Sequence, residues 1–371
     1  MTRNPSREEA HSSYLLSTLV LGGVVGLFVA SSTARSEPAR LSADGQWSSY
    51  GLDDTQQRFS PLSEITGRSI KALGLAWALD LPDDTSLQAT PLIVNGTLYF
   101  TIKYSVVYAV DARNGRVKWT FDPKVREELA KGPRRTIYTW GTNRGVAYWK
   151  NTILFAATDG RLISLSADSG RLRWSRQTVD PSIPNLSITA APLVFDDRVM
   201  IGNAGGDFSA TRGYVTAYDA DTGKRLWRTF TVPGNPAKGF ESDAMRLAAK
   251  TWGPDWWKTT GGGNVWNAMS FDRDFDRVYI GTGNGSPFNQ RIRGRAGGDN
   301  LFVASIVALD ARTGRYLWHY QVVPGDNWDF DATQDLVLAD LSINGAHKKV
   351  LMQANKDGFF YVIDRSTGSR M

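Results

Sequence analysis

The sequence has 371 residues, with 43 Lys and Arg against 37 Asp and Glu and a formal net charge of +6. The basic residues are dispersed among acidic ones, which excludes a nucleic-acid-binding stripe, and the length allows one large core or two ordinary ones. The sequence contains no cysteine, which excludes disulfides, thiolate metal sites and covalent haem of the C-x-x-C-H type.

Residues 1–39 predict an export signal. An apolar run, 14–30, follows Arg3 and Arg7 and precedes the small residues of ASSTA, 30–34. This order is typical of a secretory signal peptide. The run is also at the lower length limit for a membrane span, so an N-terminal membrane anchor is the alternative. Both interpretations place the remainder, 40–371, outside the cytoplasm, and we expect it in the periplasm.

Short strands follow along the chain. They are rich in β-branched and aromatic residues and are separated by Gly, Asn or Asp turns. The predicted strands are 97–102, 107–112, 161–167, 198–204, 214–220, 277–283 and 305–311. The only predicted helix is ESDAMRLAAKTW, 241–252.

A repeated phrase, Asp-x-x-Thr/Asn-Gly leading to Trp, punctuates these strands. It occurs at 111–119, 219–227 and 310–318, more weakly at 166–174, and DRSTGSRM, 364–371, begins it again. Its glycines are spaced 55, 53, 91 and 54 residues apart, and the long spacing contains an insertion around 233–263. Four short strands per unit predict a radial β-propeller of about five units, while the alternative, a β-solenoid, has shorter rungs.

The phrase resembles the tryptophan-docking motif of the eight-bladed propellers in pyrroloquinoline quinone (PQQ) dehydrogenases. The segments 47–65, 212–227, 279–289 and 298–334 also resemble this family, in particular its quinohaemoprotein alcohol dehydrogenases. The resemblance implies an incomplete eight-bladed-type propeller over 40–371, PQQ and one calcium or lanthanide ion as cofactors, and oxidation of a small alcohol. Electrons would leave to a separate acceptor, a cytochrome c or a membrane quinone, and no nucleic acid is involved.

The resemblance assigns four residues to the metal ion. Asp329 matches the catalytic base, Asn284 a ligand acting through its side-chain carbonyl, and Asp207 a ligand that is glutamate in the family. Asp331 stands where an acid is associated with lanthanide rather than calcium. If the segment is extended, Asp329 and Asp331 point to the same side and repel each other without a cation. Calcium, or a solvated loop carboxylate at 331, are the alternatives.

The resemblance also assigns a set of residues to the quinone, each with its own role. Trp266 would form the floor under the ring, Arg144 would grip a cofactor carboxylate as a fork, and Lys356 would lie near the reactive carbonyl. The full set is Gln88, Arg144, Thr189, Ala204, Gly205, Gly206, Trp266 and Lys356.

The sequence departs from the family at three of these places. Gln88 replaces a charged glutamate, Asp207 is one methylene shorter than the usual ligand, and Tyr138 and Thr139 replace two adjacent cysteines. Two other interpretations therefore remain open at this point, a non-enzymatic propeller scaffold and an inactive truncated fragment.

Overall fold

The computed structural model describes residues 45–81, 87–131, 141–206, 211–294 and 298–371. The predicted export signal, 1–39, and the boundary at residue 40 lie outside the described residues. Within the described part, no helix is long and apolar enough to cross a membrane.

Five antiparallel sheets follow one another along the chain, and we number them sheet 1 to sheet 5. In each sheet the strands pair in chain order, four strands in sheets 1 to 4 and three in sheet 5. Short strands joined by tight turns form such meanders because each strand pairs with the strand that precedes it in the chain. The prediction of an all-β fold is confirmed, while the count of eight blades for a complete ring stays a prediction.

The strands of sheet 1 are β1 (Leu92–Val94), β2 (Thr97–Thr101), β3 (Val107–Asp111) and β4 (Val117–Phe121). Those of sheet 2 are β5 (Val146–Trp149), β6 (Thr152–Ala156), β7 (Arg161–Ser166) and β8 (Leu172–Gln177). Those of sheet 3 are β9 (Leu193–Phe195), β10 (Arg198–Gly202), β11 (Tyr214–Asp219) and β12 (Arg225–Phe230).

Two short strands, β13 (Gly261–Gly262) and β16 (Gly285–Ser286), pair with each other outside these sheets. Sheet 4 contains β14 (Met269–Asp272), β15 (Arg277–Gly281), β17 (Ser305–Asp310) and β18 (Tyr316–Gln321). Sheet 5 contains β19 (Val337–Ile343), β20 (Ala346–Ala354) and β21 (Phe360–Asp364). The described helices are α1 (Val125–Ala130), α2 (Asp243–Ala249), α3 (Trp256–Thr259) and α4 (Gln290–Gly294), with 3₁₀ turns at Ile70–Ala72, Lys103–Ser105 and Pro236–Lys238.

All seven predicted strands are present, each ending one or two residues before its predicted end. The predicted helix is shorter at both ends. It begins at Asp243 because the Ser242 hydroxyl caps it by accepting a hydrogen bond from the Met245 N–H. It ends at Ala249, and the Thr251 carbonyl beyond it accepts from the Asn300 N–H instead of continuing the helix. The other described helices have four to six residues and no amphipathic signal long enough to predict.

The docking tryptophans join neighbouring sheets, as the repeat predicted. The turn glycine after each third strand has a positive φ, and in sheets 2 to 5 a Cβ there would overlap an indole of the preceding sheet. Thus Trp119 of β4 covers Gly170 in sheet 2, and Trp318 of β18 covers Gly368 in sheet 5. Trp77 is a further member of this set that was not predicted from the sequence. It covers Gly115 in sheet 1, and its Nε1 donates to the Ala112 carbonyl at 3.0 Å.

Apolar side chains fill the space between each pair of neighbouring sheets. Sheets 1 and 2 share one buried cluster, and sheets 2 and 3, 3 and 4, and 4 and 5 share three more. The first strands β1, β5, β9, β14 and β19 lie against one another in that order. The sheets are therefore blades arranged around an axis lined by their first strands.

The segment 47–58 connects the two ends of this array. Trp47 exchanges two backbone hydrogen bonds with Ile93 of β1, at 2.8 and 3.0 Å. Eight residues later, the Thr55 carbonyl accepts a hydrogen bond from the Leu338 N–H of β19 at 2.8 Å. Sheets 1 and 5 are thereby held by one short piece of chain.

Candidate active site

The predicted site residues of the described chain lie at one edge of the sheets, which we call the site edge. First and second strands are antiparallel, so Leu193 pairs with Met200, Met269 with Ile280, and Val337 with Met352. Residues before a first strand and after a second strand therefore meet at the same edge. Before first strands lie Gln88, Arg144, Thr189, Trp266, Asp329 and Asp331, and after second strands lie Ala204, Gly205, Gly206, Asn284 and Lys356.

Asp331 is the centre of a buried polar cluster at this edge. Its side chain is 2% exposed, its Oδ1 accepts the Asn284 backbone N–H at 2.5 Å, and its Oδ2 lies 3.0 Å from Lys356 Nζ. The same Nζ lies 3.6 Å from Oδ2 of Asp329. The fold thus brings together four predicted residues that belong to three separate segments of the sequence.

The cluster carries more negative than positive charge. Burial raises the pKa of Asp331 to about 7, an effect that Lys356 opposes and Asp329 reinforces. Burial alone would lower the pKa of Lys356, but Asp331 and Asp329 together raise it above its ordinary value. One ammonium therefore serves two carboxylates, and a further cation would compensate the remaining charge.

The loop that carries the two aspartates is coiled, so the expectation of an extended segment is wrong. Asp329 and Asp331 have φ angles of 61° and 59°, in the left-handed region that aspartate tolerates. The Asp326 carboxylate holds this shape by accepting the N–H groups of Trp328 at 2.9 Å, Phe330 at 3.0 Å and Asp331 at 3.2 Å. The two carboxylates reach one ammonium because of this coiling and not because of strand alternation.

The side-chain amide of Asn284 belongs to the residue that donates its backbone N–H to Asp331. Its Nδ2 donates to the Gly285 carbonyl at 3.0 Å, and its own backbone carbonyl accepts the Gly263 N–H at 2.8 Å. The residue is 6% exposed. With Nδ2 engaged, Oδ1 is the atom left for a hard cation, as expected for an amide ligand.

Arg144, Thr189 and Trp266 form a second group at the site edge. The Arg144 guanidinium carbon lies 4.8 Å from the centroid of the Trp266 ring, and the Thr189 hydroxyl donates to the Trp266 carbonyl at 3.1 Å. The Arg144 N–H donates to the Thr189 carbonyl at 3.1 Å, and the Arg144 carbonyl accepts from Thr90. Gln88 is exposed two residues before Thr90. The predicted cation and the predicted aromatic platform are therefore in direct contact.

Arg144 is a partly buried cation with no ion-pair partner among the described residues. No carboxylate of the described ranges lies within 4.0 Å of its guanidinium, and burial lowers its pKa below the ordinary value. A desolvated guanidinium next to an aromatic face is suited to bind a planar anion in a fork.

The glycines near this group allow main chain and side chains to approach closely. A Cβ at Gly283 would lie 3.0 Å from Trp266 Nε1, so the indole lies directly over the residue before Asn284. A Cβ at Gly206 would overlap Asn264 Oδ1, and Asn264 Nδ2 is buried without a hydrogen-bond partner among the described residues. This amide is therefore a donor suited to an anionic ligand.

The three residues 204–206 do not behave alike. The Ala204 N–H donates to the Ser187 carbonyl at 2.8 Å within an isolated antiparallel bridge, so it is not available to a ligand. Gly205 adopts a φ of 87° that only glycine accepts easily. Ala204 is thus excluded from the predicted set of backbone donors.

Three predicted positions lie outside the described residues: Asp207, Tyr138 and Thr139. Within the described ranges, no three His, Cys, Asp or Glu side chains come close enough to hold a metal ion by themselves.

Three residues that shape the site were not predicted from the sequence: Asp326, Arg293 and Asn264. Asp326 organises the aspartate loop, and Asn264 supplies the orphan amide donor. Arg293 is 1% exposed and donates hydrogen bonds to the Pro287 carbonyl, near Asn284, and to the Asp326 carbonyl, in the aspartate loop. Only Asp326 had a local signal, since Gly-Asp-Asn is a typical turn sequence.

Together these residues fit a planar, multiply anionic quinone beside a hard cation. The orphan Asn264 amide and the unpaired Arg144 suit carboxylates, the Trp266 ring suits a flat ring system, and the excess negative charge around Asp331 suits a cation.

Comparison with known proteins agrees with this fit. The model of the glucose/ethanol/alcohol dehydrogenase β-propeller domain matches residues 47–371. Quinohemoprotein alcohol dehydrogenase ADH IIB from Pseudomonas putida is 50% identical over 331 residues, which cover 89% of this chain and 47% of that protein.

Two solved structures have the same fold. Quinohemoprotein alcohol dehydrogenase from Comamonas testosteroni matches with a TM-score of 0.84 at 46% identity, over 90% of this chain and 49% of that one. A europium-containing methanol dehydrogenase matches with a TM-score of 0.78 at 32% identity, over 88% and 57%. The chain spans about half the length of the curated relatives it matches.

Proposed function

The chain belongs to the glucose/ethanol/alcohol dehydrogenase β-propeller family, and from that premise we propose that it holds PQQ and a metal ion for alcohol oxidation. The observation that carries the proposal is the buried Asp331 carboxylate, bonded to the Asn284 N–H and shared with Asp329 through Lys356. A docking scaffold would gain nothing from burying such a charge-unbalanced cluster, because an uncompensated buried carboxylate destabilises a fold.

The quinone would be held by the second group of the site edge. Arg144 and the Asn264 amide would bind its carboxylates, and the Trp266 ring would orient its plane. When bound, the quinone accepts hydride from the alcohol carbon, and the cation polarises the quinone carbonyl.

The two aspartates have different exposure and therefore different roles. The Asp329 side chain is 51% exposed, so its carboxylate is accessible to an alcohol hydroxyl and takes the proton as general base. The Asp331 side chain is 2% exposed and cannot contact a substrate, so it binds the cation. Lys356 bridges the two and fixes their distance.

The cation is a lanthanide in this proposal, with calcium as the alternative. Asp331 adds a second carboxylate to the set of Asp329 and Asn284, and Coulomb attraction grows with the charge of the ion. Asp207 would complete the set from outside the described residues.

The substrate is a small alcohol, and the electrons leave to a separate acceptor, a cytochrome c or a membrane quinone. The support for a separate acceptor is the 41% identity, over 332 residues, to a protein named 1-butanol dehydrogenase (cytochrome c). The apolar run 14–30 supports export to the periplasm, as a cleaved signal or as an anchor.

Reconstitution of the purified 371-residue chain tests the proposal. The chain is mixed with PQQ and either calcium or a light lanthanide, and bound-quinone absorbance and alcohol-dependent dye reduction are recorded. We expect both signals, stronger with the lanthanide. Absence of bound quinone with either ion would overturn the proposal, and equal signals would remove Asp331 from the ligand set.

A further inference from the structure

Arg293 of α4 is the largest fully buried side chain of the described residues, although it carries a full charge. No carboxylate of the described ranges lies within 4.0 Å of it, and burial lowers its pKa to about 10. A buried charge of this kind persists only where hydrogen bonds compensate it.

Main-chain carbonyl groups supply that compensation, from two different loops. Arg293 Nη1 donates to Pro287 O at 2.5 Å and to Phe288 O at 2.6 Å, just after Asn284 in the chain. Arg293 Nη2 donates to Asp326 O at 2.5 Å, at the beginning of the loop that carries Asp329 and Asp331. A planar fork with five donors can span such a set, whereas a lysine ammonium cannot.

Gly285 makes this approach possible. A Cβ at Gly285 would lie 2.3 Å from Arg293 Nε, so any side chain at this position would displace the guanidinium. The glycine directly after Asn284 therefore admits the arginine between the two loops.

The aspartate loop needs such support. Asp329 and Asp331 both have positive φ angles, and non-glycine residues keep this conformation only where their surroundings enforce it. The Asp326 carboxylate accepts three N–H groups of the loop, and its carbonyl is held by Arg293. Arg293 thus acts on Asp331 through Asp326.

We propose that Arg293 is a positioning residue that fixes the Asn284 segment relative to the Asp329–Asp331 loop and so sets the geometry of the cation site. Its meaning for catalysis rests on the proposed function. The effect of Arg293 on the two loops does not rest on the proposed function, so the effect on the loops and the effect on the cation site are measured separately.

The first measurement is hydrogen exchange of the metal-free 371-residue chain, followed on peptides that cover 284–288 and 326–331. In Arg293→Lys we expect amides of both peptides to exchange at least tenfold faster. The matched control is Arg365→Lys, another buried arginine, which pairs with Asp272 between sheets 4 and 5. Unchanged exchange in Arg293→Lys, or the same increase in the control, would overturn the proposal.

Asp326→Asn provides an independent variant, because it keeps the side-chain size but replaces one acceptor oxygen of the loop. We expect faster exchange confined to 326–331. If Arg293→Lys does not fold, unchanged exchange in Asp326→Asn would overturn the proposed action of Arg293 on Asp331, because that action passes through the Asp326 carboxylate.

The second measurement uses europium(III) alone as the probe. Supporting residues outside the ligand set typically change metal affinity about 10- to 100-fold, so Arg293→Lys should weaken europium binding by that factor. In Arg293→Lys, the europium emission lifetimes in H₂O and D₂O should also indicate more water bound to the ion. The europium affinity of Arg365→Lys should stay within about threefold of the parent affinity.

The two measurements separate the possible failures. Parent chain that does not bind europium would contradict the proposed cation site, while the exchange result would still decide the role of Arg293. Unaltered europium affinity and hydration in Arg293→Lys, with the parent binding normally, would exclude a positioning role.

Discussion

The turns after the third strands, at an edge that we call the docking edge, all carry a glycine with φ between 66° and 79°. In sheets 2 to 5 a tryptophan of the preceding sheet covers this glycine. At the opposite, site edge, the residues before the first strands differ from sheet to sheet. They are Gln88, Arg144, Thr189, Trp266 and Asp331. The same sheets therefore carry a repeated contact at one edge and a set of different residues at the site edge.

The difference follows from what each edge contacts. The docking edge joins one sheet to the next copy of the same unit, so the same indole-on-glycine contact serves every time. The ligand proposed for the site edge is a single asymmetric molecule, so each sheet would contribute a different group to it. The repeated indole-on-glycine contacts hold the sheets together, and the different residues at the opposite edge form the candidate site.

Among the variants that test this comparison, Asp329→Ala at the site edge should have the largest effect, a loss of turnover. Loss of a general base typically reduces turnover about 10²- to 10⁴-fold. Because the side chain is half exposed, thermal stability and bound-quinone absorbance should stay unchanged. Alcohol-dependent dye reduction of the reconstituted chain measures the loss.

Asp335→Ala is the control for this variant, since Asp335 is a similarly exposed acid paired with Arg58. It should keep parent turnover. A fully active Asp329→Ala chain would assign the base to another residue.

Asp331→Asn tests the site edge in a second way, through the choice of metal ion. The substitution keeps an oxygen for the Asn284 N–H but removes one negative charge. Because Coulomb energy is proportional to ion charge, a tenfold loss of calcium affinity should accompany a roughly 30-fold loss for a lanthanide. Titration with each ion measures the two constants, and Asp335→Asn serves as the control. Equal factors would mean that residue 331 does not contact the ion.

The docking edge is tested by Gly170→Ala, which should lower stability without touching the site. The positive φ costs about 1 kcal/mol, and overlap of the new Cβ with the Trp119 ring at 2.7 Å costs about 1–3 kcal/mol more. Urea unfolding of the metal-free chain measures the sum.

Gly96→Ala is the matched control, because Gly96 has a φ of +69° and nothing within 4 Å of the added Cβ. It should cost only about 1 kcal/mol. If both variants lost the same stability, the docking contact would contribute nothing beyond the turn conformation.

Much of the fold followed from the sequence because the repeated unit is local. Each strand, its turn glycine and its tryptophan lie within about ten residues, so their pattern is visible before folding. The site was predictable only through resemblance, since Asp329 and Lys356 carry no local signal that distinguishes them from turn or surface residues.

What the sequence did not reveal depends on contacts between distant segments. Arg293 is separated from Asp326 by 33 residues, and nothing in QRIRG, 290–294, indicates a buried arginine. The coiled shape of 325–331 was missed because alternation was assumed where Asp326 bonds three amides of its own loop. Such networks form only after the loops have been brought together.

Trp77 was missed for a related reason, and it provides the smallest expected effect. It covers Gly115 as Trp119 covers Gly170, and both indoles donate to a carbonyl, Ala112 or Ala167, at 3.0 and 2.9 Å. However, no Asp-x-x-Thr-Gly phrase precedes it. Trp119 lies in β4, whereas residues 75–81 form no strand among the described residues.

Trp77→Ala should therefore cost less stability than Trp119→Ala. Both indoles are half-buried, so removal of Trp119 should cost about 3 kcal/mol, and the unpaired segment around Trp77 can relax into the space, which reduces the cost to about 1–2 kcal/mol. Urea unfolding of the two variants measures the difference. Equal losses would show that the docking contact alone, and not the strand that presents the tryptophan, determines its contribution at this edge.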